Sequence, residues 1–207
     1  SGLATTGFTE AKKYKRNKKI TFGYLARFDN SKQTQRIIDL AAQLPNSFTL
    51  VVAGFNAGAR DFTSKFIAIS DKKPNVIFLG ALEQKAQISN FFHEIDVLLY
   101  PTNREGLPMT LVEAAFHHVD FITSDVAGCK ELAKEFEREA WKNGDFTPTN
   151  ILSYKPKKYK KAHLQVLRKY LHDHVERGFY GFLKETLLDQ FQLADISNTN
   201  QLHRRAL

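Results

Sequence analysis

Glu105 and Glu113 stand on either side of the run Gly106-Leu107-Pro108-Met109-Thr110, where a strand ending at Tyr100 gives way to a helix expected to begin at Pro108. The start of a helix exposes unpaired backbone N–H groups and the positive end of the helix dipole, so such a turn can hold an anion such as a phosphate. Proline in the first helical turn suits this arrangement, because its missing N–H would have had no partner there. Carboxylates on both sides of a bound phosphate can accept hydrogen bonds from hydroxyl groups of whatever carries it. Arg27 and Lys32 flank the start of another helix. Read alone, they are surface charges.

The elements that must position these residues alternate regularly. Ile20–Ala26 is rich in β-formers and is followed by a helical pattern with Ile37, Ile38, Leu40, Ala41 and Leu44 on one face. Apolar strands follow at Phe48–Ala53, closed by Gly54, and at Val76–Leu79, closed by Gly80. Helical segments are expected around 61–69 and 87–95, a fourth strand at Val97–Tyr100, a helix over 108–116, a strand at Val119–Thr123 and a helix over 129–136. Near-continuous apolar strands alternating with helices predict an α/β fold with a parallel sheet covered on both faces, and a ligand site along the C-terminal edge of its strands. From Trp141 the pattern changes, with turns at Asn143-Gly144-Asp145 and Pro148-Thr149-Asn150. After Pro156 two or three helices are expected, over 158–172, 175–191 and beyond 198. They read as a basic, aromatic attachment to the sheet.

Composition sets further bounds. The 207 residues are 43% hydrophobic and 25% charged, ordinary for one well-packed domain with attachments. The single cysteine, Cys129, excludes an internal disulfide and a cysteine-based metal cluster. No apolar run reaches the roughly 18–20 residues of a membrane span, and the start lacks a signal-peptide core. A cytoplasmic protein is the expectation. The net charge of +8 sits on the flanks: residues 1–20 carry six Lys/Arg against one Glu, and residues 151–207 carry eleven against five acidic residues. Such flanks suit an anionic membrane surface, giving peripheral contact at the membrane inner face. They contain no nucleic-acid reading motif, so nucleic acid is not an expected partner. The expected division is a basic arm over 1–19, an α/β domain over 20–150 and a helical extension over 151–207.

Three ordered blocks give these residues a family. Gly23-Tyr-Leu-Ala-Arg27-Phe-Asp-Asn-Ser-Lys32, Val76-Ile-Phe-Leu-Gly80 with Asp96-Val-Leu-Leu-Tyr-Pro101, and Glu105-Gly-Leu-Pro-Met-Thr-Leu-Val-Glu113 together resemble the donor-binding, C-terminal half of a GT-B glycosyltransferase of the retaining family 4 type. The resemblance implies a single Rossmann-like domain that binds a nucleotide-sugar. It implies that Arg27 and Lys32 neutralise the leaving diphosphate, as fixed positive charge must where phosphate charge grows. It assigns the distal phosphate to the backbone N–H groups of about Leu107 to Thr110, within a donor-binding turn made of Gly106, Leu107, Pro108, Met109 and Thr110. It further implies that Glu113 accepts hydrogen bonds from the ribose hydroxyls, that Glu105 holds donor-sugar hydroxyls, and that Gly80 and Ala81 contact the base through their backbone. The nucleotide-sugar is then a substrate, with no cofactor and no divalent metal expected. The acceptor side of a GT-B cleft lies on an N-terminal domain, so this chain is expected to be part of a longer enzyme and inactive alone. A catalytically silent GT-B-like recognition module and a GT-B sugar epimerase are the alternatives.

The chain departs from the family pattern at three places: Ala26 before the loop arginine, His118-Val119-Asp120 where Gly-x-Pro is usual, and Ala127-Gly128 where two glycines are common. His117 and His118 point to different sides of a helix and read as helix-end residues, not as a shared metal site. Cys129 reads as a packing residue, His163, His172 and His174 as solvated helix residues, and Phe91, Phe92, Phe179 and Phe182 as core or interface.

Overall fold

Runs of β-branched and aromatic residues become strands here, and the central ones feed two cores, one on each face of the sheet. The computed structural model describes residues 19–57, 61–160, 162–167 and 170. β1 (Thr21–Phe28) sends Phe22, Tyr24 and Phe28 into one core and Leu25 toward the other. It is followed by α1 (Thr34–Gln43), β2 (Thr49–Asn56), α2 (Phe62–Ser70), β3 (Val76–Phe78), α3 (Lys85–Glu94) and β4 (Val97–Tyr100). Then come α4 (Met109–Phe116), β5 (Asp120–Ser124), α5 (Cys129–Glu135), β6 (Glu139–Trp141), a 3-10 turn at Asn143–Asp145 and α6 (Pro148–Ser153). All neighbouring strands pair in parallel, in the order β3-β2-β1-β4-β5-β6. This is a doubly wound α/β sheet, as the alternation predicts.

One core joins Phe91, Phe92, Leu111, Val112, Phe116, Leu132 and Phe136 of α3, α4 and α5 and the residue after α5. The other joins Phe22, Tyr24, Phe28, Ile37, Leu40, Phe62 and Phe66, with Ile151 and Tyr154 from the end of the fold. Phe91, Phe92 and Cys129 are fully packed, in line with the sequence reading. His117 closes α4 and His118 takes a left-handed conformation (φ 57°), so both are helix-end residues.

The structure corrects several expectations. α4 starts one residue later than expected, with Pro108 as its N-cap. β6 was not anticipated; it is three residues long and lies at the sheet edge, too short to give a pattern. The Pro148-Thr149-Asn150 turn is instead the first turn of α6, capped by Thr147, whose hydroxyl accepts from the Asn150 amide at 3.2 Å. Proline is over-represented at the first helical position, where its missing N–H costs nothing. His163 is buried, not solvated: it packs against Phe136 and Tyr159, because residues 162–167 fold back onto the α5 side of the sheet. The arm up to residue 18, the helix expected over 175–191 and the one beyond 198, with His172, His174, Phe179 and Phe182, lie outside the described residues.

At the N-terminal end of β5, Asp120 is buried and fully engaged. Its carboxylate accepts from the Tyr154 hydroxyl at 2.8 Å and from the amides of Lys157 (2.5 Å) and Phe121 (2.8 Å). Arg138 Nε lies 2.7 Å from Asp120 Oδ1, and its guanidinium sits 4.1 Å from the Tyr159 ring centre. Nε and Nη2 of Arg138 make no aligned hydrogen bond among the described residues, so this contact is one of charge and stacking. Tyr159 donates to the Val119 carbonyl at 3.0 Å and stacks on His118. The departure His118-Val119-Asp120 thus anchors residues 154–160 across the edge of the sheet remote from the expected ligand.

Candidate active site

The strand order reverses between β1 and β4, and in a sheet of this kind the C-terminal edge at such a switch point is where ligands bind. The loop after β1 is shaped by its own side chains. Asp29 Oδ1 accepts from the Ser31 hydroxyl (2.6 Å) and the Lys32 amide (2.9 Å), and the Tyr24 hydroxyl donates to the Lys32 carbonyl at 3.0 Å. Burial alone would raise the Asp29 carboxyl, but these hydrogen bonds and the Arg27 charge hold it below the ordinary range. The loop is tied to the one after β4: the Asn103 amide donates to the Ser31 carbonyl at 2.8 Å, and the Thr102 hydroxyl to the same carbonyl at 3.2 Å.

That clamp brings Lys32 and Glu105 together. The Lys32 ammonium pairs with Glu105 Oε2 and donates to the Tyr100 hydroxyl at 2.9 Å, which in turn donates to the same Glu105 oxygen at 2.7 Å. The other carboxylate oxygen accepts from the Gly106 amide at 3.1 Å. Partial burial would raise the Glu105 carboxyl; the bonds from Lys32 and Tyr100 and the Lys32 charge outweigh it and keep the group ionised below the usual carboxylate range. Burial, then the bond to and charge of Glu105, push the Tyr100 phenol far up, so it stays a neutral donor.

The turn beside Glu105 rests on Gly128. A Cβ at that position would meet the Gly106 carbonyl oxygen at 2.3 Å, and its φ of 79° is left-handed, so both space and backbone demand glycine. Past the turn, the Met109 amide bonds to the Leu107 carbonyl and the Leu111 amide to the Pro108 carbonyl, whereas the amides of Leu107 and Thr110 meet no acceptor among the described residues. Pro108 contributes no amide. The geometry can hold an anion at the start of α4, as the sequence suggests.

Glu113 lies one turn into α4, partly buried between Val112 and Ala114. No described side chain pairs with its carboxylate, and burial alone pushes the carboxyl up to about 7. A carboxylate held this way lacks hydrogen-bond donors. Arg27 is exposed at the end of β1, in register with Phe55 on β2. Gly80 follows β3 in a left-handed conformation (φ 72°), its carbonyl accepting from the Gly54 amide at 2.8 Å, and Ala81 beside it is exposed. The fold therefore sets Lys32 against Glu105 directly and Arg27 on the adjoining strand. Gly80 and Ala81 stand two strands from β1, at about 10 Å by strand spacing. Tyr100 and Thr102 carry no role in the sequence reading, where Gly128 enters only as part of the family spacing. The signal for Tyr100 was its place as a hydroxyl-bearing residue closing an apolar strand, since a buried tyrosine hydroxyl normally finds a partner. Among the described residues no group of three or more His, Cys, Asp or Glu could hold a metal ion.

A doubly wound sheet with an anion turn at its switch point is the architecture of a GT-B nucleotide-binding half. The sequence profile of the family described as "Glycosyl transferases group 1" matches residues 7–174, and the chain belongs to that family. Solved structures agree on the fold. Anabaena Alr3699/HepE, determined with UDP and glucose, is 19% identical over 65% of this chain and 37% of its own, with a TM-score of 0.54. The lipopolysaccharide outer core galactosyltransferase WaaB is 25% identical over 64% of this chain and 38% of its own, with a TM-score of 0.51. TarM of S. aureus, in a complex containing UDP, is 13% identical over 84% of this chain and 35% of its own, with a TM-score of 0.54. The chain thus spans less than two fifths of these proteins. A search of curated proteins finds no match.

Proposed function

We propose that the chain is the donor-binding part of a retaining glycosyltransferase that moves a hexosyl group from a nucleotide-sugar to a glycan, lipid-linked or protein acceptor. The observation that carries this reading is Glu113, a desolvated carboxylate without a described partner, one turn behind a helix start whose amides at Leu107 and Thr110 meet no acceptor among the described residues. Two neighbouring hydroxyls, as on a ribose, supply the donors such a carboxylate lacks. The diphosphate takes the Leu107 and Thr110 amides, with Arg27 and Lys32 opposing its charge as the sugar–oxygen bond breaks. Gly80 and Ala81 face the base, and Glu105 orients the sugar. Neighbours solved with UDP or UDP-glucose support a nucleotide-sugar as the ligand class. The acceptor wall is assigned to an N-terminal domain of the parent protein, and the isolated domain is expected to bind without turnover. The site is proposed to work in the cytoplasm, in peripheral contact with a membrane.

Calorimetric titration of the full-length protein with UDP, GDP and ADP tests the reading. Binding of at least one, lost in Glu113→Ala, is expected. Absence of binding by all three removes the proposal.

A further inference from the structure

Lys32 and Glu105, given to different parts of the donor, are bonded to each other in the structure. An ammonium with three N–H groups can serve a carboxylate and a phosphate in turn, but its charge is already neutralised by Glu105 here. A diphosphate bearing two or more negative charges competes for it. Only the side chain can respond, because the Lys32 backbone is pinned by Asp29 at its amide and by Tyr24 at its carbonyl. When the ammonium swings to phosphate, Glu105 keeps the Gly106 amide and one side-chain donor described here, the Tyr100 hydroxyl.

We propose that Tyr100 is a positioning residue of this site, whose hydroxyl keeps the Glu105 carboxylate in place when the donor diphosphate draws the Lys32 ammonium away. The inference rests on the donor-binding reading above and adds a residue to it.

The surroundings of Tyr100 fit a fixed anchor. It closes β4, pairs in register with Thr123, whose hydroxyl donates to its carbonyl at 3.3 Å, and is 5% exposed. Its ring is packed in the core with Leu98, Leu111 and Cys129, and the Lys32 ammonium lies 4.8 Å from its centre. The phenolic oxygen is therefore placed by the sheet and does not depend on the ligand, whereas Lys32 reaches the site on a flexible stem. Tyrosine supplies one donor and one acceptor; the donor goes to Glu105 and the acceptor takes Lys32, so losing the lysine leaves the Tyr100–Glu105 bond intact. Glu105 cannot drift backward, since the carbonyls of residues 105 and 106 are packed against Gly128. The hydroxyl thus acts through Glu105 and not on the nucleotide.

Tyr100→Phe deletes the hydroxyl and keeps the ring. In the full-length protein, calorimetry with UDP, GDP and ADP should give dissociation constants within about twofold of wild type, because no phosphate contact is removed. Nucleoside diphosphate release from UDP-glucose, GDP-mannose and ADP-glucose should show kcat falling about tenfold, the scale of a lost hydrogen bond to a charged group. A 13C-carboxyl titration of Glu105 with the bound diphosphate at saturation supplies a readout independent of the sugar. Protonation at higher pH in Tyr100→Phe than in wild type is expected, with melting temperatures confirming that both proteins are folded. Unchanged protonation of Glu105 overturns the proposal while leaving the donor-binding reading standing, as does a loss of diphosphate affinity equal to the loss in kcat. If the wild type binds none of the three diphosphates, the donor-binding reading itself fails and the role of Tyr100 falls with it.

Discussion

The two edges of the sheet treat charge in opposite ways. At the N-terminal edge, Asp120 is 2% exposed, takes three hydrogen bonds and faces Arg138, with Tyr154 and Tyr159 closing over the pair. At the C-terminal edge, Lys32 and Glu105 are paired but reachable, with side chains 15% and 19% exposed, and Glu113 pairs with no described group. A buried pair closed over by two tyrosines does nothing further, because no ligand reaches it. A reachable pair beside an unpaired carboxylate can exchange protein partners for a ligand. The same residue types are therefore closed off at one edge and reachable at the other, and the difference lies in exposure.

The sharpest way to break the comparison is to remove one acid from each edge. Asp120→Ala should destabilise the fold by about 3–5 kcal/mol, because it leaves the Arg138 charge buried without its counterion. Urea unfolding monitored at Trp141 would measure this, and a loss below about 1 kcal/mol would show that the rear cluster is not the anchor described. Glu113→Gln should act in reverse. It removes a carboxylate that burial disfavours, so stability should hold or rise, while affinity for the bound nucleoside diphosphate, measured by calorimetry, should fall about tenfold or more.

Gly128 connects the architecture to the site and gives an intermediate effect. Gly128→Ala forces a Cβ onto the Gly106 carbonyl in a left-handed backbone, at a cost of about 1–3 kcal/mol. Because that carbonyl belongs to the Glu105 turn, turnover should fall further than stability alone explains. Equal stability and turnover in this variant would show that the turn has room the structure does not display.

Much of this was legible in the sequence. The parallel sheet followed from near-continuous apolar runs such as Leu98–Tyr100, and the anion turn from proline placed beside a helix start after a strand. Glu105 and Glu113 stood out as acids bracketing that turn. What stayed hidden depended on contacts between distant residues. Nothing in the local pattern pairs Asp120 with Arg138, eighteen positions later, or brings Lys32 to Glu105, seventy-three positions apart. His163 misled because a basic, amphipathic stretch looks the same whether its apolar side meets the sheet or solvent. β6 was invisible because three residues at an edge carry no period.

The smallest effect concerns protons and separates the two carboxylates of the site. Glu113 has its carboxyl raised from 4.5 to about 7 in the folded state. Its folded form binds the proton more tightly than the unfolded chain, so its contribution to stability is full below the unfolded value and is lost as pH rises from there through about 7. Glu105 runs the other way: its lowered carboxyl stabilises the fold above the unfolded value and loses that effect as pH falls through the folded value. Hydroxyls bond best to the ionised Glu113, so affinity for the bound nucleoside diphosphate should fall about tenfold between about pH 8 and about pH 6. The diphosphate ionises in that range as well, and Glu113→Gln keeps this part while losing the carboxyl's own. Calorimetric titrations of wild type and variant at both pH values give the difference. A wild-type slope no steeper than that of the variant would mean that Glu113 does not meet the nucleotide, and the contrast between the open and the closed edge would lose its functional side.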